Sequence, residues 1–531
     1  MKRRDFLRKG IQVGLAANAL PMLIGGMPRQ VFANGGNGAT TLADNGQILV
    51  MLQLSGGNDG LNCLVPITNP TYTAIRPNLG LSLAHSKLRV LPDHPTLAMH
   101  EQLPQIFNLY KTGRMTILQN VGYPNPEFSH FRGTDIVQTC TDREIYKTSG
   151  WIGRLLRQQN PAFDISNIAA GSDPLAIHFT RIVSNLYHSD SGDMGIPVYQ
   201  MPDPTTNSAH DYDVIPASPN LAYQSLDYVR GVQRETEVYN TTLAHRAVTT
   251  NKVVYPDTPL AQQLASVAQL IASGLKTRIY IVTQNGYDFH SELLSGQAAR
   301  HVDLDGAVAA FQRDLEALNV ADNVITMTYS EFGRRPAENG SGTDHGSSYP
   351  LFVIGTRVKG GILGNDPDLD NLIDANLNYD QNHDFRNVYA TMMSEWLGVD
   401  DKTIQEVLTG SGTNIYSTNA KWLKLGLFKD KPVKGIQTAS TGSPFGFMLM
   451  QNHPNPVLAS TTIEFALPAT TSVTLGIFNS AGQEVARPIE ATLGEGNHRV
   501  SFSPKGLASG RYFYRLTTPD DQLTRQMTIL K

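Results

Sequence analysis

The sequence predicts an α/β fold, a mostly parallel sheet with helices on both faces, followed by a small all-β sandwich. Apolar runs of strand length, such as Ile48–Leu54 and Val324–Thr328, alternate with stretches of helical period, such as Leu260–Leu275. Several of these strand-like runs end in Gly-rich turns that carry an acid, the position where open α/β sheets hold ligands. From Phe447 the pattern changes to period two, as in Thr461–Phe465, Val473–Phe478, His498–Phe502 and Tyr512–Leu516, with turn residues between (Ser480-Ala481-Gly482, Gly494-Glu495-Gly496-Asn497, Ser509-Gly510).

The chain has 531 residues, enough for two folded units plus appendages. At 40% hydrophobic and 17% charged it has a globular composition. A formal net charge of −4, with no long basic run after the first residues, argues against a nucleic-acid partner. The start, MKRRDFLRKG, sets Arg3-Arg4 ahead of Phe6-Leu7, and Val31-Phe32-Ala33 offers a small-residue cleavage site. The apolar stretch between them is too short and Gly-rich to span a bilayer, so residues 1–33 read as a twin-arginine-like export signal. No integral membrane span is expected in the mature chain. Cys63 and Cys140 suit either one disulfide or two buried thiols, and exclude a Cys-rich zinc site.

Residues 34–46 are a flexible lead-in, after which the strand Ile48–Leu54 runs into Ser55-Gly56-Gly57-Asn58-Asp59-Gly60. Residues 97–112 carry a helical period (Leu97, Leu103, Ile106, Leu109, Tyr110), and Met115–Val121 is a second buried strand. Pro124 and Pro126 forbid helix until Ser129, which can cap the helix carrying His130, Phe131 and Ile136. GWIGRLLRQ opens another amphipathic helix, and residues 160–255 do not divide into clear elements. There follow helix Leu260–Leu275, strand Arg278–Thr283 ending in QNGYDFHSE, helix Asp303–Leu318, the strand from Val324, strand Tyr349–Gly355 and helix Asp384–Leu397. A polar linker over 430–446 separates the α/β part, 34–429, from the sandwich, 447–531, which has no clustered His, Cys or carboxylates.

The chemistry-bearing residues lie at four strand ends: Asp59; Ser129 with His130; Asp288 with His290; and Glu331, Arg334, Asp344 and His345. Singly, Asp59 suits a turn, Ser129 a helix cap and the Asp-His pair a surface hydrogen bond. In an α/β sheet these ends converge on one edge, and convergent oxygen and nitrogen donors suit one or two divalent metal ions. Gly340, Gly342 and Gly346 let the last loop turn sharply. Hydrolysis of a phosphate or sulfate ester needs such a set, because negative charge builds on the attacking and leaving oxygens. Ser129 is the candidate nucleophile. Asp59, Asp288, His290, Glu331 and His345 are the candidate ligands, with Asp344 a ligand or the group that orients His345. Arg334 or Arg335 would bind non-bridging oxygens. The small-molecule partner expected is of ester or glycan type; the competing class is a non-catalytic surface protein, for instance one that binds a carbohydrate or a partner, which keeps the fold without the full site.

LQLSGGNDGLN, PNPEFSHFRGTDIVQT, GWIGRLL, GYDFHSE, SEFGRRPAENGSGTDHG and DFRNVYATMMSEWLGV together resemble the bacterial domain-of-unknown-function 1501 family, in the right order over roughly residues 46–400. The resemblance implies an alkaline-phosphatase-like α/β fold, kinship with phosphatases and sulfatases, and hydrolase activity. Carried over by position, it implies Asp59 as the first metal-binding acid, Ser129 as nucleophile and Asp288 with His290 as ligands to one metal, although one residue separates that pair where the superfamily has three. Either Asp344-His345-Gly346 or Ser330-Glu331-Phe332-Gly333 occupies the next motif. The second assignment fits the strand order better and leaves Phe332 where a metal-binding His is usual, with His383 as a weaker substitute ligand. The segments QNHPNPVLASTTIEFALP, LGIFNSAGQEV and LASGRYFYRL resemble the type A sorting domain of the type IX secretion system. That implies handling by this machinery, and a secreted or cell-surface location in a Bacteroidetes-like bacterium.

Overall fold

Nine strands build the sheet that positions every candidate residue. A computed structural model describes residues 46–163, 172–181, 184–199, 249–377, 383–409, 424–429 and most of 448–530, with isolated positions between 201 and 244. The expected signal (1–33), the expected linker (430–446) and much of the 160–255 stretch lie outside the described residues. The chain divides into two units, one of residues 1–422 with 427–429 and one of residues 423–426 with 430–531.

The strands of this sheet, all in the first unit, are β1 (Ile48–Ser55), β2 (Met115–Gly122), β3 (Ala176–His178), β4 (Ile196–Pro197), β5 (Ile279–Asn285), β6 (Val324–Tyr329), β7 (Ser348–Ile354), β8 (Gly361–Leu363) and β9 (His383–Asp384). Their spatial order is β8-β2-β7-β6-β1-β5-β3-β4, with β9 also on β2. Only β7 runs antiparallel to its neighbours. Both faces are dry, as the continuous apolar runs require. Ile48, Val50, Leu52 and Leu54 share a core with α1 (Pro104–Lys111), while the alternate Leu49 and Met51 are equally buried on the other face. The helices α2 (His130–Thr139), α3 (Trp151–Gln159), α4 (Pro259–Ala272), α5 (Leu293–Ala317) and α6 (Phe385–Thr391) complete the layers that matter here. Thr258 caps α4 through the Ala261 N–H, with Pro259 at its first position, a favoured start.

Three local readings change. Leu97 belongs to the strand His94–Met99, and the helix starts only at Pro104. The long helix begins at Leu293 rather than Asp303, because its first turns also pack: Gly296 lies under the Phe289 ring, and Gln297 reaches the Asp59 carbonyl at 2.8 Å. The last helix passes from α6 into a π turn, Met392–Trp396. Cys63 and Cys140 are free and buried, and burial pushes both thiols up to about 12.

In the second unit the paired strands among the described residues are all antiparallel, and one isolated bridge, Val457 with Ile529, is parallel. A three-stranded sheet (Met448–Leu449, Thr461–Leu467, Gly496–Phe502) and a four-stranded one (Thr471–Asn479, Glu484–Leu493, Gly510–Thr517, Gln522–Ile529) share a core. Ile463 and Phe465 of the first sheet and Leu475, Ile477, Tyr514 and Leu516 of the second line it.

Candidate metal centre

The carboxyl ends of β6, β1 and β5 lie side by side, since Gln53 pairs with Tyr329 and Ser55 with Asn285. The loops that leave these three strands are therefore delivered to one place. After β1 the chain turns through Gly56 and Gly57, both at positive φ. A Cβ on Gly56 would lie 2.5 Å from the Asp288 nitrogen, and one on Gly57 2.8 Å from the Phe332 ring, so side chains here would push the neighbouring loops away. Gly342 and Gly346 serve the same end by close approach, to the His290 backbone and the Arg334 carbonyl, while Gly340 alone among the three turns with positive φ.

His130, Asp288 and His345 bring their ligand atoms within 4.8 Å of one another, and theirs is the one such group of three found among the described residues. His345 Nδ1 lies 2.6 Å from the Phe128 carbonyl, an acceptor only, so Nδ1 carries the proton and Nε2 offers its lone pair. That Nε2 stands 3.2 Å from Asp288 Oδ1 and 2.9 Å from His290 Nε2. His130 Nδ1 lies 2.9 Å from Glu331 Oε1, and its buried Nε2 has no hydrogen-bond partner, with Asp288 Oδ2 3.3 Å away. A buried imidazole nitrogen left open beside a carboxylate and a second imidazole fits a divalent cation of the Zn or Mn kind.

Glu331 does not join this cluster. It sits behind His130, 2% exposed, and also accepts from the Gly56 N–H at 2.8 Å; a carboxylate so placed fixes the tautomer of a ligating His. Asp59 is apart as well. It caps the turn Gly60–Cys63 through the Asn62 N–H, and Arg76 grips both its oxygens at 2.8 and 3.0 Å. Asp344 lies beside His290, Oδ1 3.6 Å from Nδ1, rather than behind His345. Arg334 is buried and points inward. Its donors go to the carbonyls of Gly56, Gly57, Tyr287 and Thr343 and to Asp288 Oδ1 at 2.6 Å, which leaves no face for a substrate anion. Ser129 is exposed at the head of α2 with its hydroxyl making no cap bond, between Phe128 and His130, both held to the cluster. His383 lies on β9 against Val121, outside the group.

The residue of this group that the sequence reading left out of its candidate ligands is His130, although it stands next to Ser129 at the helix start. Phe332 explains the shift. Its buried ring packs 4.9 Å from His130 and 4.5 Å from His345, so an imidazole reaches the site from α2 where position 332 offers only carbon. The charges are tuned apart. For Asp288 burial pushes upward, but the hydrogen bond and positive charge of Arg334, with the imidazoles beside it, prevail and hold the carboxyl at about 2. The Glu331 hydrogen bond raises His130 above the usual imidazole value, whereas burial lowers His345.

No match was found among curated proteins. Among solved structures the chain is similar to a protein of the alkaline phosphatase superfamily from Vibrio parahaemolyticus (9% identity, 85% of this chain and 84% of that, TM-score 0.32). It is also similar to the PsFucS1 sulfatase from Pseudoalteromonas sp. (10% identity, 86% and 84%, TM-score 0.32). A shorter likeness is to PorZ, a surface component of the type IX secretion system of Porphyromonas gingivalis (17% identity, TM-score 0.12); it covers 15% of this chain and 11% of that protein's length. Among the described residues no helix is long and apolar enough to cross a membrane. Residues 229–419 match the family model of the protein of unknown function DUF1501, and residues 452–530 that of the secretion system C-terminal sorting domain. The chain thus joins a DUF1501 region to a C-terminal sorting domain that marks it for export to the cell surface or beyond.

Proposed function

We propose that this protein is an exported, metal-dependent hydrolase of phosphate or sulfate esters with Ser129 as its nucleophile, sent out by a type IX machinery. The observation that carries the reading is the open Nε2 of His130, directed beside Asp288 and the lone pair of His345. His130, Asp288 and His345 would hold one divalent ion, with His290 as the fourth donor. A cation there supplies Lewis-acid polarisation of an ester oxygen. The protein's own groups do the rest. Glu331 keeps the His130 proton on Nδ1, and Arg334 keeps Asp288 ionised. The Ser129 oxygen, at the positive end of α2, would bond to phosphorus or sulfur as the bond to the alcohol oxygen breaks, its proton leaving with the alcohol; water would then cleave the serine ester, returning a proton to Ser129 and releasing phosphate or sulfate.

The test is metal analysis of the purified protein, followed by assay on 4-nitrophenyl phosphate and sulfate with Mn²⁺, Zn²⁺ or Ca²⁺. The expected result is one ion per chain, lost in Asp288→Ala plus His290→Ala, with turnover abolished in Ser129→Ala. Wild-type protein that binds no metal ends the reading. A second reading, a binding protein without catalysis, draws on the inward-facing Arg334 and the Arg76-bound Asp59; inactivity on both esters with metal bound would favour it.

A further inference from the structure

The backbone that leads to Ser129 is held at three consecutive residues. Pro124, Asn125 at positive φ and Pro126 first turn the chain sharply after β2. At Glu127 the main chain closes on Tyr123: the Glu127 N–H donates to the phenol oxygen at 3.1 Å, and the phenol donates back to the Glu127 carbonyl at 3.3 Å. At Phe128 the carbonyl accepts the His345 Nδ1 proton. The Glu127 carboxylate then folds over the next two residues. Its Oε1 accepts from the N–H groups of Phe128 and Ser129, each at 3.1 Å, and its Oε2 lies 3.1 Å from Arg143 Nε. Ser129 stands at the N-cap of α2 with extended backbone, where a serine hydroxyl ordinarily accepts from the second or third N–H of the helix. No such bond forms. A hydroxyl spent on the cap has its orientation committed to the main chain, whereas one kept off it can turn toward an ester. The charge of Glu127, just ahead of the first turn, complements the positive end of α2 without help from the serine.

We infer that Glu127 is a positioning residue for Ser129: by holding the Ser129 N–H it fixes the main chain of the nucleophile and keeps the hydroxyl out of the helix cap. The inference rests on the ester-hydrolase reading above, with Ser129 as nucleophile. Glu127 acts through Ser129 and not on the ester. What the role requires is an acceptor oxygen in this place, since the two bonds it makes are to main-chain N–H groups.

The test compares Glu127→Met, which keeps the length of the side chain and removes the acceptor, with Glu127→Gln, which keeps an acceptor oxygen and loses the charge. Steady-state kinetics are read on whichever 4-nitrophenyl ester the metal-loaded wild type turns over, and metal affinity by competition with a chelating dye. Glu127→Met is expected to lower kcat roughly ten- to a hundredfold, the scale of a misplaced reacting group, with KM and metal affinity unchanged. Glu127→Gln is expected to recover most of kcat. A crystal structure of Glu127→Met, which needs no substrate, should show the Ser129 hydroxyl drawn to the N–H of Phe131 or Arg132; a hydroxyl still off the cap overturns the inference. An unchanged kcat in Glu127→Met overturns it too and leaves the hydrolase reading standing. Equal losses in the two variants overturn it by assigning the effect to charge. A metal affinity that falls as far as kcat overturns it by routing the effect through Phe128 and His345. A wild type inactive on both the phosphate and the sulfate ester removes the hydrolase reading and the positioning role with it.

Discussion

Arg334→Met separates two roles for this guanidinium. If it braces the site, as its partners indicate, methionine removes hydrogen bonds to four main-chain carbonyls and the charge beside Asp288. Removing one member of a fully buried pair costs about 3–5 kcal/mol. The Asp288 side chain is 46% exposed, so water screens it and brings that part nearer the ~1 kcal/mol of a surface pair. The orphaned carbonyls weigh more, at roughly 1–3 kcal/mol for each buried group left unsatisfied. A loss of roughly 3–6 kcal/mol is expected, a large part of the about 5–15 kcal/mol that stabilises a domain. Urea unfolding followed by tryptophan fluorescence reads it, because Trp151 and Trp396 are both buried in the first unit. The acid limb should change too. Asp288, at about 2 against an ordinary 3.8, contributes stability above pH ~4 that is lost as pH falls toward ~2, and the variant should lack this step. An unchanged urea midpoint together with lost turnover would refute the bracing role and return Arg334 to the substrate.

Other outcomes come from the same geometry. Glu331→Gln keeps the shape but weakens the hold on His130, and metal affinity measured by competition with a chelating dye should fall roughly 10–100-fold. Metal affinity should rise with pH as His130 loses its proton above the ordinary imidazole range, with proton release visible in calorimetry; His345, lowered by burial, is already neutral there. In the metal-free protein the His130–Glu331 contact acts the opposite way: its contribution to stability is full below the unfolded imidazole value and is lost as pH rises through the raised one, which a pH series of melting temperatures should show. Gly342→Ala puts a methyl group 2.2 Å from the His290 backbone and should displace that histidine, weakening metal binding while Asp288, His130 and His345 stay in place. A crystal structure of that variant checks the displacement.

The sheet was legible because strands buried on both faces write themselves as unbroken apolar runs, as Ile48–Leu54 and Val324–Thr328 do. The antiparallel direction of β7 was not, since Ser348–Ile354 is as apolar as its parallel neighbours and hydropathy carries no polarity of direction. At the centre, residue type and strand-end position picked out Asp288, His290 and His345. They could not tell a group facing the cleft from one braced behind it. Asp59 and Arg334 hold their positions through Arg76 and through backbone carbonyls, partners that leave no periodic trace. His130 was hidden because it reads as the start of a helix beside Ser129, and only the three-dimensional path of α2 brings it against Phe332 and Glu331.

The spacing of these partners along the chain has a consequence for how the protein comes into being. Glu331 holds His130 across 201 positions, Gly56 across 275, and His345 reaches Phe128 across 217. Contacts of such high order form late, after the loops between them have closed. No nascent chain that stops short of His345 owns the full group, so a cation of the proposed kind would be captured only after that residue has been made. A cation that did bind would tie together loops of that length, acting like a cross-link whose strength is set by free metal concentration.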